Sequence, residues 1–272
     1  MAIKTISVWG SPGCGKTITT TKLAKCLAEN RKNVIVVGCD DQTPLLPLLL
    51  PMGTNLPSLG HLLALPSISQ IDLMKHLVSL GKNQYISLLG YGREENWMSY
   101  PDYSYRRAEE LFDRLERFSD ISSLVVLVDC TSDINNYLTA VALKRTDVTF
   151  RLLNADPKSL IFFQSAAPLL KRDSTYRYDK QINILNNVLP SQDPGPAREV
   201  VGDIPYSLLN VPELKEQYDA AQLPESLPGR AAREYTLEIN KIVKEVFADG
   251  PEESGIVRRR RSTAAGDVSG IA

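Results

Sequence analysis

The octapeptide Gly10-Ser11-Pro12-Gly13-Cys14-Gly15-Lys16-Thr17 fits the pattern GxxxxGK[ST], and it stands between a β-rich run and a helical one. A strand, this loop and a helix in that order commit the N-terminal region to an α/β fold whose first strand lies inside a parallel sheet. Glycines at these spacings let the backbone curl until successive N–H groups point inward, an arrangement suited to a phosphate. Lys16 brings a point charge to β/γ-phosphate oxygens, and the Thr17 hydroxyl is a magnesium ligand in such a loop. Gly10 to Thr17, with Ile18 behind them, therefore form the expected phosphate-binding segment of a nucleoside triphosphate site. Cys14 fills a variable position, where a small residue that fits is a better reading than a redox switch.

The rest of the chain alternates short apolar runs with helical segments. Strands are expected over residues 3–9, 33–39, 86–89, 124–129, 148–153 and 182–185, and helices over 16–30, 105–118, 159–170 and 230–247. Runs such as NVIVVGC and LVVLVD are apolar almost throughout, as befits strands covered on both sides. The pattern predicts a doubly wound, mostly parallel α/β sheet with helices on both faces. One domain over residues 1–249 accounts for it, followed by a flexible, disordered tail over 250–272. At 272 residues, 43% hydrophobic and 23% charged, the chain can bury an ordinary core.

The formal net charge of −1 excludes a global field toward nucleic acid or an anionic membrane, so any such contact needs a local patch. Cys14, Cys26, Cys39 and Cys130 show no CxxC spacing and read as reduced thiols of a cytoplasmic protein. With His61 and His76 alone, a histidine zinc site is not expected. No secretory signal and no transmembrane segment are apparent, since the apolar stretch 45–52 is interrupted by Pro47 and Pro51.

A phosphate loop needs a second acidic group to hold magnesium through water, at the end of a neighbouring core strand. Asp129, closing LVVLVD, stands there; the plainer alternative is an aspartate capping the next turn. Gly38-Cys39-Asp40-Asp41-Gln42-Thr43-Pro44 ends the second strand, and strand carboxyl ends converge on the ligand of a doubly wound sheet. Asp40 or Asp41 could orient an attacking water there, or act only as a cap.

In order and spacing, GSPGCGKTITTTKLAKCLA, VIVVGCDDQTP, LVVLVDCTSD, INILNN and Gly202-Asp203-Ile204-Pro205 resemble the motifs of the MinD/ParA family of P-loop ATPases, which position and orient cellular machinery. The resemblance implies ATP/ADP and magnesium as cofactors, with catalytic roles for Lys16, Asp40 and Asp129 and metal binding by Thr17 and Asp129. It places the adenine contact on Asn186 or, failing it, Asn187. It also implies an ATP-dependent homodimer that separates after hydrolysis. Two positions depart from the family pattern. Ser11 stands where a signature lysine reaches across the dimer, and Gly38 replaces the first aspartate of Asp-x-Asp. Losing a cation at a transferring phosphoryl group predicts slow hydrolysis, or a dimer that uses another cation.

The divergent loop resembles the CpaE/TadZ group of pilus-assembly ATPases and relatives on mobile elements. The expected partner is a protein of a pilus or secretion, conjugation or DNA-partition system. A nucleotide-binding scaffold with little hydrolysis is the rival reading, and a capsule-regulating tyrosine-kinase-like ATPase another, though no tyrosine follows Phe247. A metabolic transfer enzyme has no visible second-substrate site. Arg258 to Arg261 read as a solvated charge run or as a contact for DNA or an anionic membrane, which would put the protein peripherally at the inner face. Trp97 and Tyr100 read as core cover or as a partner surface.

Overall fold

The computed structural model describes residues 4–51, 56–80, 83–96, 103–121, 124–223, 225–227 and 229–247. The readings of Trp97, Tyr100, Arg258–Arg261 and the domain boundary near 249 fall outside these residues. Eight strands form one sheet: β1 (Thr5–Gly10), β2 (Asn33–Gly38), β3 (Val78–Leu80), β4 (Asn83–Leu89), β5 (Leu124–Asp129), β6 (Val148–Asn154), β7 (Gln181–Val188) and β8 (Tyr206–Leu209). Their order is β3-β4-β2-β5-β1-β6-β7-β8, and every neighbouring pair is parallel except β3–β4.

The strands carry apolar side chains on both faces because helices cover both. On β2, Val34 and Val36 join one buried cluster with α1 (Lys16–Glu29), α2 (Leu45–Leu49), α9 (Pro212–Asp219) and α10 (Arg230–Val246). Ile35 and Val37 join the other, against α3 (Leu59–Ala64), α4 (Gln70–Lys75), α5 (Tyr105–Ile121), α6 (Tyr137–Arg145), α7 (Pro157–Arg172) and α8 (Gly195–Val201). Each such side chain contributes about 1.5–3 kcal/mol when fully removed from water. The one polar residue facing a core from the middle of β1, Ser7, is satisfied: its hydroxyl shares hydrogen bonds with Thr146 (2.9 Å) and Thr149 (2.8 Å).

The expected doubly wound sheet is present, with longer elements than the sequence reading gave: α7 starts at Pro157 and β7 runs on to Val188. Eight of these strands and helices lie outside the expected ranges: the strands β3 and β8 and the helices α2, α3, α4, α6, α8 and α9. β3 and β8 have three and four residues, too short to show a period. The helix α6 buries Leu138 through Leu143 without a break, so it has no polar stripe to reveal it. Its start is nonetheless encoded by Asn136, whose side chain accepts a hydrogen bond from the Thr139 N–H at 3.0 Å.

Gly38 answers a packing demand. A Cβ at this position would lie 2.7 Å from the Leu45 Cβ, and one at Gly90 would lie 2.9 Å from the same atom. Leu45 is thus wedged between the ends of β2 and β4, which leaves no side-chain room at position 38.

Candidate functional site

The central position of β1 puts the glycine loop at the carboxyl edge of the sheet. Val8 pairs with Asp129 on one side, and Gly38 on β2 pairs with the same aspartate on the other. The ends of β1, β2 and β5 therefore converge on one crevice. The loop between β1 and α1 is braced from β7. Asn186, 4% exposed, donates its side-chain amide to the Cys14 carbonyl at 2.7 Å. Gly15 has φ +88°, and a Cβ there would lie 2.6 Å from that amide nitrogen, so conformation and space both require glycine. No side chain caps α1, which leaves its first N–H groups for a ligand. Cys14 is fully buried and burial pushes its thiol up, the behaviour of a filler rather than a reactive cysteine.

Lys16 folds over the loop: its ammonium donates to the Gly10 carbonyl (3.3 Å), the Ser11 carbonyl (3.1 Å) and the Ser132 hydroxyl (2.7 Å). The Thr17 hydroxyl donates to Asp129 Oδ2 at 2.6 Å. Asp129 is buried, and its other oxygen, Oδ1, has no hydrogen-bond partner. Desolvation pushes its carboxyl up to about 6 and Asp40 adds to the rise, while the Thr17 bond and the Lys16 charge oppose it. A hydroxyl beside a carboxylate with an orphaned buried oxygen is a donor set that fits a magnesium ion.

A cavity of about 460 Å³ opens beside Lys16 and is bounded by Pro12 and Gly13, by residues 40–42, and by residues 131–133, 135 and 136. Asp40 Oδ1 accepts from the Gln42 and Thr43 N–H groups, both at 2.9 Å. Capping and facing the cavity are thus combined in one side chain. Asp41 lines the same space; desolvation raises its carboxyl, and Asp40 and Asp133 add to the effect.

The remaining expected residues make the following contacts. Ser11 is 1% exposed and its hydroxyl is hydrogen-bonded to Ser159 Oγ at 2.7 Å, so only its carbonyl meets Lys16. Ser159 Oγ also accepts from the Asn154 N–H (3.0 Å), and the Asn187 side-chain amide donates to Asn154 Oδ1 (3.0 Å). Asn186 is committed to the loop, whereas Asn187, with φ +54°, closes the strand at a half-buried position. Ile18 packs against the core rather than the cavity. Sequence reasoning missed Ser132 and Ser159. Ser159 follows Asp156-Pro157, a helix-start signal that could have placed it in the first turn of α7; Ser132 lies in a polar run with no spacing to single it out.

A strand–glycine loop–helix unit at the centre of a parallel sheet, with an acidic strand end beside it, defines the P-loop class of α/β folds. Within that class the chain has the fold of the ParA and MinD ATPases. The structure of a ParA family ATPase from Chlorobium tepidum TLS superposes with a TM-score of 0.70 at 14% identity, covering 90% of this chain and 100% of that one. The septum site-determining protein MinD of Pyrococcus horikoshii OT3, complexed with Mg-ADP, gives 0.67 at 17% identity, covering 89% and 96%. The MinC:MinD cell division complex of Aquifex aeolicus gives 0.66 at 14% identity, covering 89% and 96%. No family model matches the sequence, and no curated protein matches it. Among the described residues, no helix is long and apolar enough to cross a membrane.

Proposed function

We propose that this chain is an ATP-binding, magnesium-dependent and slowly hydrolysing switch that positions or helps assemble a cellular machine. The observation that carries the reading is the convergence of Lys16, Thr17 and Asp129 on one crevice, with Asp40 on the wall of the adjoining cavity. Loop amides and the α1 N-terminus would hold the inner phosphates, and Lys16 would neutralise the outer oxygens. Thr17 and Asp129 would hold magnesium, which when bound supplies charge neutralisation at the phosphates. Asp40 would orient the attacking water, its carboxylate held by the Gln42 and Thr43 amides. The fold shared with MinD bound to Mg-ADP, and with MinD bound to MinC, supports a nucleotide-governed homodimer that docks a protein partner. A pilus or secretion, conjugation or partition system is the proposed setting, with a cytoplasmic location, peripheral at the membrane where the partner requires it.

Blocking hydrolysis tests the switch. In the Asp40→Ala protein, ATP should drive a change of oligomeric state and strengthen partner capture. If ATP changes neither, the switch reading is wrong.

The buried Ser11–Ser159 pair favours a second reading, a nucleotide-binding scaffold with almost no turnover, because no cation leaves the loop from position 11. Single-turnover hydrolysis with protein in excess separates the two: phosphate release within hours supports the switch, and none supports the scaffold.

A further inference from the structure

Ser132 is absent from every expected set of site residues, yet its hydroxyl lies 2.7 Å from the Lys16 ammonium. The segment that carries it is tied down on both sides. The Thr131 N–H donates to Thr139 Oγ1 at 3.0 Å, and the Asn136 side-chain amide donates to the Cys39 carbonyl at 3.3 Å. Ser132 therefore holds a fixed place between the end of β5 and the start of α6.

The cavity has two unlike walls. One is the glycine loop, represented by Pro12 and Gly13; the N–H groups of this loop suit an inner phosphate. The other is formed by residues 40–42, 131–133, 135 and 136, and it is rich in carboxylates: Asp40, Asp41 and Asp133. A further phosphate placed in this cavity beyond the inner one would face the acidic wall and need a neutral donor there. The other donors of this wall already hold bonds, apart from the exposed Gln42 and the second amide hydrogens of Asn135 and Asn136. The Thr131 hydroxyl bonds the Asp133 carbonyl (3.0 Å), the Asn135 amide bonds Asp133 Oδ1 (3.0 Å) and the Asn136 amide bonds Cys39. The Ser132 hydroxyl accepts from Lys16 and keeps its own hydrogen to give.

We propose that Ser132 is the residue by which this site tells a nucleoside triphosphate from a diphosphate, its hydroxyl donating to the terminal phosphate beside Lys16. The proposal rests on the nucleotide reading above. A hydrogen bond to a charged oxygen contributes about 1.5–3 kcal/mol, which is about ten- to a hundredfold in affinity.

Calorimetric titration of the whole protein with magnesium and either AMPPNP or ADP provides the test, using wild type, Ser132→Ala and Ser132→Thr. Ser132→Ala should weaken AMPPNP binding about tenfold or more while ADP stays within about twofold, and Ser132→Thr should recover most of the loss. A structural defect would weaken both ligands together. An unchanged AMPPNP-to-ADP ratio in Ser132→Ala, or no recovery in Ser132→Thr, overturns the proposal while leaving the nucleotide reading intact. A wild-type protein that binds neither ligand overturns both.

Discussion

Ser11 and Ser159 share a 2.7 Å hydrogen bond that turns the second residue of the glycine loop into the core, where it is 1% exposed. In the family that the sequence resembles, this position sends a lysine outward to a partner's nucleotide. Here it is a brace between the loop and the first turn of α7. A lysine placed on this backbone meets filled space and must either strain the loop or leave Ser159 behind. Ser11→Lys should lower the unfolding free energy by about 2 kcal/mol, and Ser11→Ala by about 1 kcal/mol. Urea denaturation measures both. A Ser11→Lys protein as stable as wild type would show that position 11 turns outward freely.

The second departure from the family pattern has a packing cause. With the Leu45 Cβ 2.7 Å from any Cβ at position 38, Gly38→Asp cannot simply restore the missing aspartate. It should cost on the order of 3 kcal/mol from overpacking and a buried carboxyl. Leu45→Gly, which removes the Cβ as well, should alone cost about 3–6 kcal/mol through its cavity and the weaker helix propensity. The double variant should be more stable than the sum of the two losses predicts, because each change relieves the other. Strict additivity in thermal unfolding would remove Leu45 as the reason for the glycine.

Asn186 and Asn187 separate into two roles. The Asn186 amide is spent on the Cys14 carbonyl, so Asn186→Ala should loosen the loop and weaken ATP and GTP alike, by about tenfold. Asn187→Ala should spare the loop and, if it is the residue that meets the base, narrow the difference between ATP and GTP. Fluorescence competition with the two nucleotides decides it. A base-selective loss in Asn186→Ala would instead place the adenine contact on Asn186, the first expectation from the sequence.

Asp129 makes stability depend on pH. Its carboxyl sits near 6 in the folded chain against an ordinary value of 3.8, chiefly through desolvation. Between those values the unfolded chain has released the proton and the folded chain retains it, so stability falls as pH rises from about 4 to about 6 and stays lower above that. The shift corresponds to on the order of 3 kcal/mol. In EDTA, Asp129→Asn should therefore gain stability relative to wild type on going from pH 4 to pH 8. Added magnesium with nucleotide should offset the wild-type cost, because binding the folded state stabilises it. A pH-independent difference between the two proteins would contradict the buried charge.

Much of this was legible in the sequence, for stated physical reasons. The strand and helix flanking Gly10–Thr17 are long and apolar enough to fix the local fold, and Asp129 was placed by the six buried residues of its strand. What escaped were side-chain contacts that no local sequence pattern carries. Nothing local to Ser11 announces Ser159, nothing local to Gly38 announces Leu45, and nothing near Lys16 announces Ser132. The first arises from β1 lying beside β6, the second from α2 folding onto the ends of β2 and β4, and the third from β1 lying beside β5.

The central claim is that Gly10–Thr17 holds a nucleoside triphosphate with magnesium through Lys16. Calorimetric titration of Mg-ATP into wild type and Lys16→Ala tests it most directly. The account predicts saturable binding of one nucleotide per chain in wild type and a loss of about a hundredfold or more in Lys16→Ala. Absence of binding in wild type, or equal affinity in the two proteins, would contradict it.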